Sequence, residues 1–303
     1  VVIRKITPED AEYPKNLRNI HSAPKQLYVK GALLDSDETA VAIIGSRRAS
    51  MYGIETAERL GYELAVRGVT VVSGMARGID SASHRGALRA KGRTIAVMGS
   101  GHGVIYPPEN KKLYEEIAKS GAVVTEFDFD TEPLPRNFPA RNRIISGLSL
   151  GVVVVEAARN SGALITSDFA AEQGRTVFAV PGRVSSGTSG GANGLIKDGA
   201  CLVQSVDDII DELNLVEMRP VERGRRETTG DKISKKTKAY IYNSLTDDER
   251  KVYKILSDEP VHTDDLSENT KLGAAKLSKV LVDLELKRLI KALPGKQYVR
   301  KEN

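Results

Sequence analysis

The residues in this chain whose types and spacing could do chemistry are arginines, serines and glycines, and the chemistry they suit is the holding of phosphate. Arg141-Asn142-Arg143 places two permanent cations ahead of the apolar run Val152–Val155, and Ser161-Gly162 follows that run. An unbroken run of four valines reads as a buried parallel strand. Ser161-Gly162 then opens a helix, Ala163 to Gln173, that stops at Gly174. A helix N-terminus exposes unpaired N–H groups and a partial positive charge, so it attracts anions. A further strand, Val177–Val180, ends in the turn Pro181-Gly182.

Nucleophiles and bases are not arranged this way. No G-x-x-x-x-G-K-[ST] loop is present, which argues against a phosphate-loop nucleotidase. Gly99-Ser100-Gly101-His102-Gly103 does not match G-x-G-x-x-G. The four histidines, His21, His84, His102 and His262, lack metal-ligand spacing. Asp80 and His84 stand one helical turn apart. They read either as an acid–base pair or as a helix-start cap by Asp80 with His84 on a polar face. Cys201, between Ala200 and Leu202, reads as buried and inert. The sequence therefore predicts no catalytic residue, no metal and no cofactor.

Alternating strands and helices must position these groups. Strands are expected at Val41–Gly45, Val69–Ser73, Thr94–Met98, Val123–Glu126, Val152–Val155 and Val177–Val180. Helices are expected at about Tyr52–Arg67, Ile79–Lys91, Lys111–Lys119, Ala163–Gln173, Leu195–Lys197 and Val206–Leu213. That alternation predicts an α/β fold with a parallel sheet covered on both faces. Such sheets bind ligands beyond the carboxyl ends of their strands. Four expected strands end there in Gly45-Ser46-Arg47-Arg48, Ser73–Gly78, Gly99–Gly103 and Pro181-Gly182-Arg183. These loops read as a phosphate-binding rim or as tight turns, and the acids Glu126, Asp128, Asp130 and Glu132 lie nearby.

Charge marks the organisation. The chain has 303 residues and a net charge of +5. Residues 1–215 balance 25 basic against 25 acidic side chains, while 216–243 hold 8 against 4. The second tract lacks periodicity and reads as a basic flexible linker, either a nucleic-acid attractor or a solvated tether. Residues 244–303 form a separate unit. Thr246-x-x-Glu249 is a capping box opening a helix to about Ser257. Helices follow at about Thr263–Glu268 and Ala274–Arg288, the latter with Leu277, Leu281 and Leu284 on one face. Ile290–Leu293, Pro294-Gly295 and Gln297–Arg300 then make a hairpin. Three helices and a hairpin are a winged-helix pattern. It meets either DNA, through Lys276, Lys279, Lys291, Lys296 and Arg300, or another protein. A single cysteine, no apolar run of membrane length and no signal peptide fit a reducing cytoplasm. The chain opens on Val1 rather than Met, which leaves room for residues upstream.

These residues carry a resemblance. Tyr13-Pro14, Gln26–Gly31, Ala42–Arg47, Ser73–Asp80, Tyr106-Pro107, Phe138-Pro139, Arg141–Ile145, Ser161–Thr166 and Pro181-Gly182 together resemble the DNA-processing protein A family (DprA, also called Smf). The motifs run from about Tyr13 to Leu213, and the terminal unit is similar to the winged helix many members carry. Some members also carry a helical domain ahead of the position of Tyr13, of which this chain has almost none. The resemblance implies an extended Rossmann-like domain over 1–215, with an N-terminal extension over 1–40. It implies a protein that binds and protects single-stranded DNA, dimerises, and loads RecA recombinase during natural transformation and homologous recombination.

Carried over by motif, Arg47 is the first candidate for a backbone phosphate, followed by Arg77, Arg141 and Arg143. The amides of Ser46, Gly74 and Gly162, at the helix opened by Ser161, are implied as phosphate donors. Phe138 offers a stacking face for a base, or fills core at a helix start, and Asn142 holds the loop. The rival class is a nucleotide phosphoribohydrolase of the lysine-decarboxylase-like group. Its Pro-Gly-Gly-x-Gly-Thr-x-x-Glu motif has only Pro181–Thr188 as a counterpart here, without the glutamate spacing.

Overall fold

The computed structural model describes residues 2–215, 246–256, 261–286, 289–293 and 295–300. The chain divides into two compact units, Val1–Val221 and Glu222–Asn303. The proposed linker, 216–243, lies outside the described residues.

The first unit is an α/β domain built on a nine-stranded sheet. Its strands are β1 (Ile3–Ile6), β2 (Leu27–Gly31), β3 (Ala40–Gly45), β4 (Thr70–Ser73), β5 (Thr94–Val97), β6 (Ala122–Thr125), β7 (Gly151–Glu156), β8 (Thr176–Ala179) and β9 (Cys201–Leu202). The spatial order is β1-β2-β6-β5-β4-β3-β7-β8-β9. From β6 through β9 every pairing is parallel, while β2 pairs antiparallel with both β1 and β6. The chain lays strands outward in one direction from β3 to β6, then returns to the other side of β3 with β7. The crevice at the carboxyl ends of β3 and β7 is thus the switch point, where open α/β sheets bind ligands.

The strand sequences explain the two covered faces. Ala40, Ala42 and Ile44 of β3 join one core cluster, and Val41 and Ile43 join the other. Val152 and Val154 of β7 alternate with Val153 and Val155 in the same way. Successive side chains of a strand point to opposite faces, so a continuous apolar run needs cover on both. Helices α2 (Met51–Val66), α3 (Ile79–Arg89) and α8 (Val206–Glu212) cover one face with Leu60, Leu64, Ala82 and Ile209. The short α1 (Lys15–Arg18), α5 (Asn137–Gly147), α6 (Gly162–Glu172) and α7 (Gly190–Lys197) cover the other. Helix α4 (Lys111–Ser120) packs Leu113, Tyr114 and Ile117 against β5 and β6.

All six expected strands are present, with ends shifted by a residue or two. In the first unit three strands and two helices, the short α1 and α5, were not expected. β1 and β2 belong to the N-terminal segment, and β9 is two residues long. Helix α5 was missed because Phe138-Pro139 opens it and the polar run Arg141-Asn142-Arg143 breaks its apolar periodicity. Proline in the first helical turn sacrifices no internal hydrogen bond. The expected Leu195–Lys197 helix begins earlier, at Gly190.

The second unit is a winged-helix region. Thr246 and Glu249 form the expected reciprocal cap at the start of α9 (Asp247–Ile255). Helices α10 (Thr263–Thr270) and α11 (Ala274–Leu286) follow. Leu277, Leu281, Leu284 and Leu289 join Val252, Leu256 and Leu266 in a separate core. β11 (Ile290–Leu293) and β12 (Gln297–Arg300) form the wing, and β10 (Val261–His262) pairs with β12. Pro294 and the side chains of Lys291 and Arg300 lie outside the described residues.

Candidate nucleic-acid interface

A cleft of about 490 Å³ opens at the switch point. Ser46 and Arg47 after β3, Phe138 and Arg141 of α5, and Ser161 and Gly162 at the start of α6 all line it. Gly74 and Arg77 line a smaller hollow beside it, which shares Arg47 and Phe138 with the cleft. Arg143 lines neither.

Hydrogen bonds fix the loops of this edge. The Ser46 N–H donates to the Glu156 carbonyl at 2.7 Å, so this amide is not the free phosphate donor expected of it, and the Ile79 N–H donates to the Ser46 carbonyl at 3.2 Å. The buried Glu156 carboxylate accepts from the Ser50 hydroxyl at 2.7 Å and from the Ser50 N–H. Ser50 in turn caps α2 by accepting from the Gly53 N–H. Gly78 takes a φ of +75°, and a Cβ there would lie 2.3 Å from the Ser46 carbonyl oxygen. In the loop after β5, His102 meets the Tyr28 carbonyl at 3.0 Å and the Tyr114 hydroxyl at 2.8 Å.

The arginines that look alike in the sequence are in different states. Arg141 is 3% exposed and donates to the carbonyls of Gly74 and Val97. A Cβ on Gly74 would lie 2.6 Å from its Nη1, so glycine there makes room for the guanidinium. Burial lowers the Arg141 guanidinium to about 10, against the opposing pull of Asp80. Arg141 therefore ties the carboxyl ends of β4 and β5 together beneath the cleft. Arg143 makes two hydrogen bonds of 2.6 Å to the Glu126 carboxylate and one of 2.9 Å to the Ser22 carbonyl. It fastens α5 to the end of β6 and to the N-terminal segment, behind the cleft. Arg77 is exposed but ion-paired with Glu109.

Arg47 is exposed and makes no hydrogen bond or ion pair with its side chain among the described residues. Its guanidinium lies 5.0 Å from the centroid of the Phe138 ring. That ring packs against Tyr106, centroid to centroid 5.6 Å, at 51°. Phe138 is only half-buried, so it is a cleft wall rather than core. Gly162 is exposed, and Ser161 caps α6 by accepting from the Ala163 N–H at 3.3 Å. Asn142 donates to the Gly162 carbonyl at 3.4 Å, a contact that holds the middle of α5 to the start of α6.

Three further expectations need correction. His84 is not on a polar face: it is 0% exposed, with Nδ1 2.6 Å from the Thr94 hydroxyl. Asp80 does not cap α3, whose N-cap is Gly78; it accepts from the Ala76 N–H at 3.3 Å in the preceding loop. Burial raises the Asp80 carboxyl, against the pull of Arg141 and the Ala76 N–H. Cys201 is half-buried at the edge of the sheet, not enclosed, and burial raises its thiol. Helix periodicity alone could not reveal that α3 is covered on nearly all sides.

Other cleft residues escaped the sequence reading. Tyr106, Ile165, Pro133 and Pro135 line the cleft, as does Asp80. Tyr106 could have been found from the Tyr106-Pro107 dipeptide; nothing in the sequence singles out Ile165. Arg136, Arg159 and Arg183 are exposed, and their side chains have no partner among the described residues. Among the described residues no group of His, Cys, Asp and Glu side chains is placed to hold a metal ion, and no helix is long and apolar enough to cross a membrane.

The family model described as DNA recombination-mediator protein A matches residues 4–214, and the DprA winged helix domain matches 238–296. Protein Smf of Synechocystis is 35% identical, over 98% of this chain and 80% of its own. Protein Smf of Escherichia coli is 45% identical over 69% of this chain and 56% of its own. Among solved structures, DNA processing protein A of Streptococcus pneumoniae is 43% identical with a TM-score of 0.67, covering 69% of this chain and 74% of that one. DNA processing protein A of Helicobacter pylori, whose structure concerns its single-stranded DNA binding mode, is 31% identical with a TM-score of 0.63. It covers 70% of this chain and 97% of that one.

Proposed function

The chain belongs to the DNA recombination-mediator protein A family, and from that premise we propose that its cleft binds single-stranded DNA without catalysis. The observation that carries this reading is the pairing of Arg47 with Phe138. The guanidinium is exposed and unpaired among the described residues, and it lies beside an aromatic ring in an open cleft. Binders of single strands combine cations that follow the backbone with rings on which bases stack. A guanidinium grips phosphate bidentately, and the exposed start of α6 adds backbone donors. Arg47, Phe138, Ser161, Gly162 and the hydroxyl of Ser46, whose N–H is already bonded to Glu156, are the proposed contacts. Arg77 reaches DNA only by leaving Glu109, and Arg141 and Arg143 are proposed as the frame.

A cleft that reads backbone and ring faces has little means to read base edges. The proposed task is therefore to cover single strands of any sequence; that the chain acts as a homodimer and hands those strands to RecA recombinase is proposed from its family membership alone. Filament assembly is the test of that task. RecA nucleation on strands precoated with single-strand-binding protein should be accelerated by the chain and not by its Arg47→Ala variant. Equal nucleation with and without the chain would contradict the loading role while leaving DNA binding intact.

A further inference from the structure

The cleft and the hollow beside it account for the edge from β5 to β7, but the same edge continues to β8. There α2 opens with Met51 and Tyr52, which are 72% and 55% exposed. The Tyr52 hydroxyl donates to the Pro181 carbonyl at 3.2 Å, which holds the ring against the loop after β8. Val184 in that loop is 98% exposed. An exposed tyrosine whose hydroxyl is already bonded offers its ring face to a ligand. Free cations lie close along the chain. Arg48 precedes Tyr52 by four residues, Arg183 follows Pro181 by two, and Arg159 follows β7, the strand between them. None of the three has a side-chain partner among the described residues. Glu156, the acid at the end of β7 beside the start of α2, is buried and already bonded to Ser50. Glu55 is the exposed acid on that turn, set against the three arginines.

Resting on the reading of the cleft as a single-strand site, we propose that Tyr52 is a second base-stacking platform. The strand leaves the cleft across the ends of β3, β7 and β8, with its phosphates on Arg48, Arg159 and Arg183. Phe138 abuts Gly99 at the end of β5, and Tyr52 abuts Pro181 at the end of β8. Those strands are four steps apart in the sheet. At roughly 4.8 Å per step the two platforms are about 19 Å apart along the edge. A short oligonucleotide then fills the cleft alone, and a longer one reaches both rings.

The test is a ladder of oligo-dT lengths, from about 4 to about 20 nucleotides, the range of site sizes such binders use. The full chain is compared with its variants. Tyr52→Ala should weaken binding of the long oligonucleotides by about tenfold, the order of one lost base stack, and leave the shortest unaffected. Tyr52→Phe should keep the affinity. Arg183→Ala should weaken the long ones and lower their salt slope by about 0.7. The chain has no tryptophan, so Tyr52→Trp supplies a single reporter whose emission should be quenched by long strands and not by short ones. A Tyr52→Ala variant that binds every length as the wild type does, or loses equally at every length, overturns the proposal. So does a variant whose only change is weaker self-association in sedimentation, which would make the patch a contact between copies. Arg47→Ala in the same ladder tests the cleft itself, because its loss should appear at every length.

Discussion

The Arg47 guanidinium stands 5.0 Å from the centre of the Phe138 ring, and no carboxylate or carbonyl holds it among the described residues. Its neighbours are spoken for: Arg77 by Glu109, Arg141 by the Gly74 and Val97 carbonyls, Arg143 by Glu126. A cation that is already paired must break that pair before it can hold phosphate. Arg47 has no hydrogen bond or ion pair to break among the described residues.

Replacing Arg47 with alanine should therefore weaken single-strand binding by at least about 1 kcal/mol, the order of a charged hydrogen bond. The slope of log affinity against log salt should fall by about 0.7, one phosphate contact. The side chain is exposed, so the melting temperature should stay within a few degrees. Equilibrium titrations at several salt concentrations read all three quantities. An unchanged slope would remove Arg47 from the phosphate contacts.

Arg143 should behave in the opposite way. Its side chain and that of Glu126 are 15% and 19% exposed, and the pair joins α5 to β6 and the N-terminal segment. Arg143→Ala strands a half-buried carboxylate, which should cost about 2–4 kcal/mol in urea denaturation. DNA binding should weaken through a misplaced α5, but with the salt slope of the wild type. Wild-type stability together with a reduced slope would return Arg143 to the phosphate contacts.

His84 sets an acid limit on stability. Burial, helped by the nearby cations Arg141 and Arg85, holds its imidazole down to about 3 from the ordinary 6.5. Below pH 6.5 the unfolded chain takes up a proton that the folded chain refuses. The contribution to stability is thus complete above that pH and is lost as pH falls toward 3, by at most about 1.4 kcal/mol per pH unit. Melting temperature should drop between pH 6.5 and about 5, and His84→Gln should flatten that limb. An identical pH profile in the variant would contradict the assignment.

Catalysis is tested at the same residue. Purified chain incubated with adenosine monophosphate should release no adenine, because the His84 ring is fully buried against Thr94 at the start of β5 and does not line the cleft, and Asp80 lacks a base within the cleft. Release by the wild type, abolished in His84→Ala, would make the chain a phosphoribohydrolase.

Much of this was legible in the residues, for physical reasons. Val152–Val155 could only be a strand covered on both faces, and the glycine and arginine loops had to fall at one edge once the strands ran parallel. Helix α5 was hidden, because its cleft face and its buried face are both polar at Arg141 and Arg143. Burial was hidden too. Arg47, Arg141 and Arg143 carry the same side chain, and only tertiary contacts show which guanidinium is free. The role of Tyr52 depends on its bond to Pro181, 129 residues away, which no local pattern encodes.

The central claim is tested most directly by titrating the full chain with oligo-dT and with duplex DNA of the same length, each at low and high salt. The account predicts single-strand affinity tighter by at least about tenfold and falling steeply with salt, by about 0.7 in the log–log slope for each phosphate held. Equal affinity for duplex, or an affinity indifferent to salt, would contradict it.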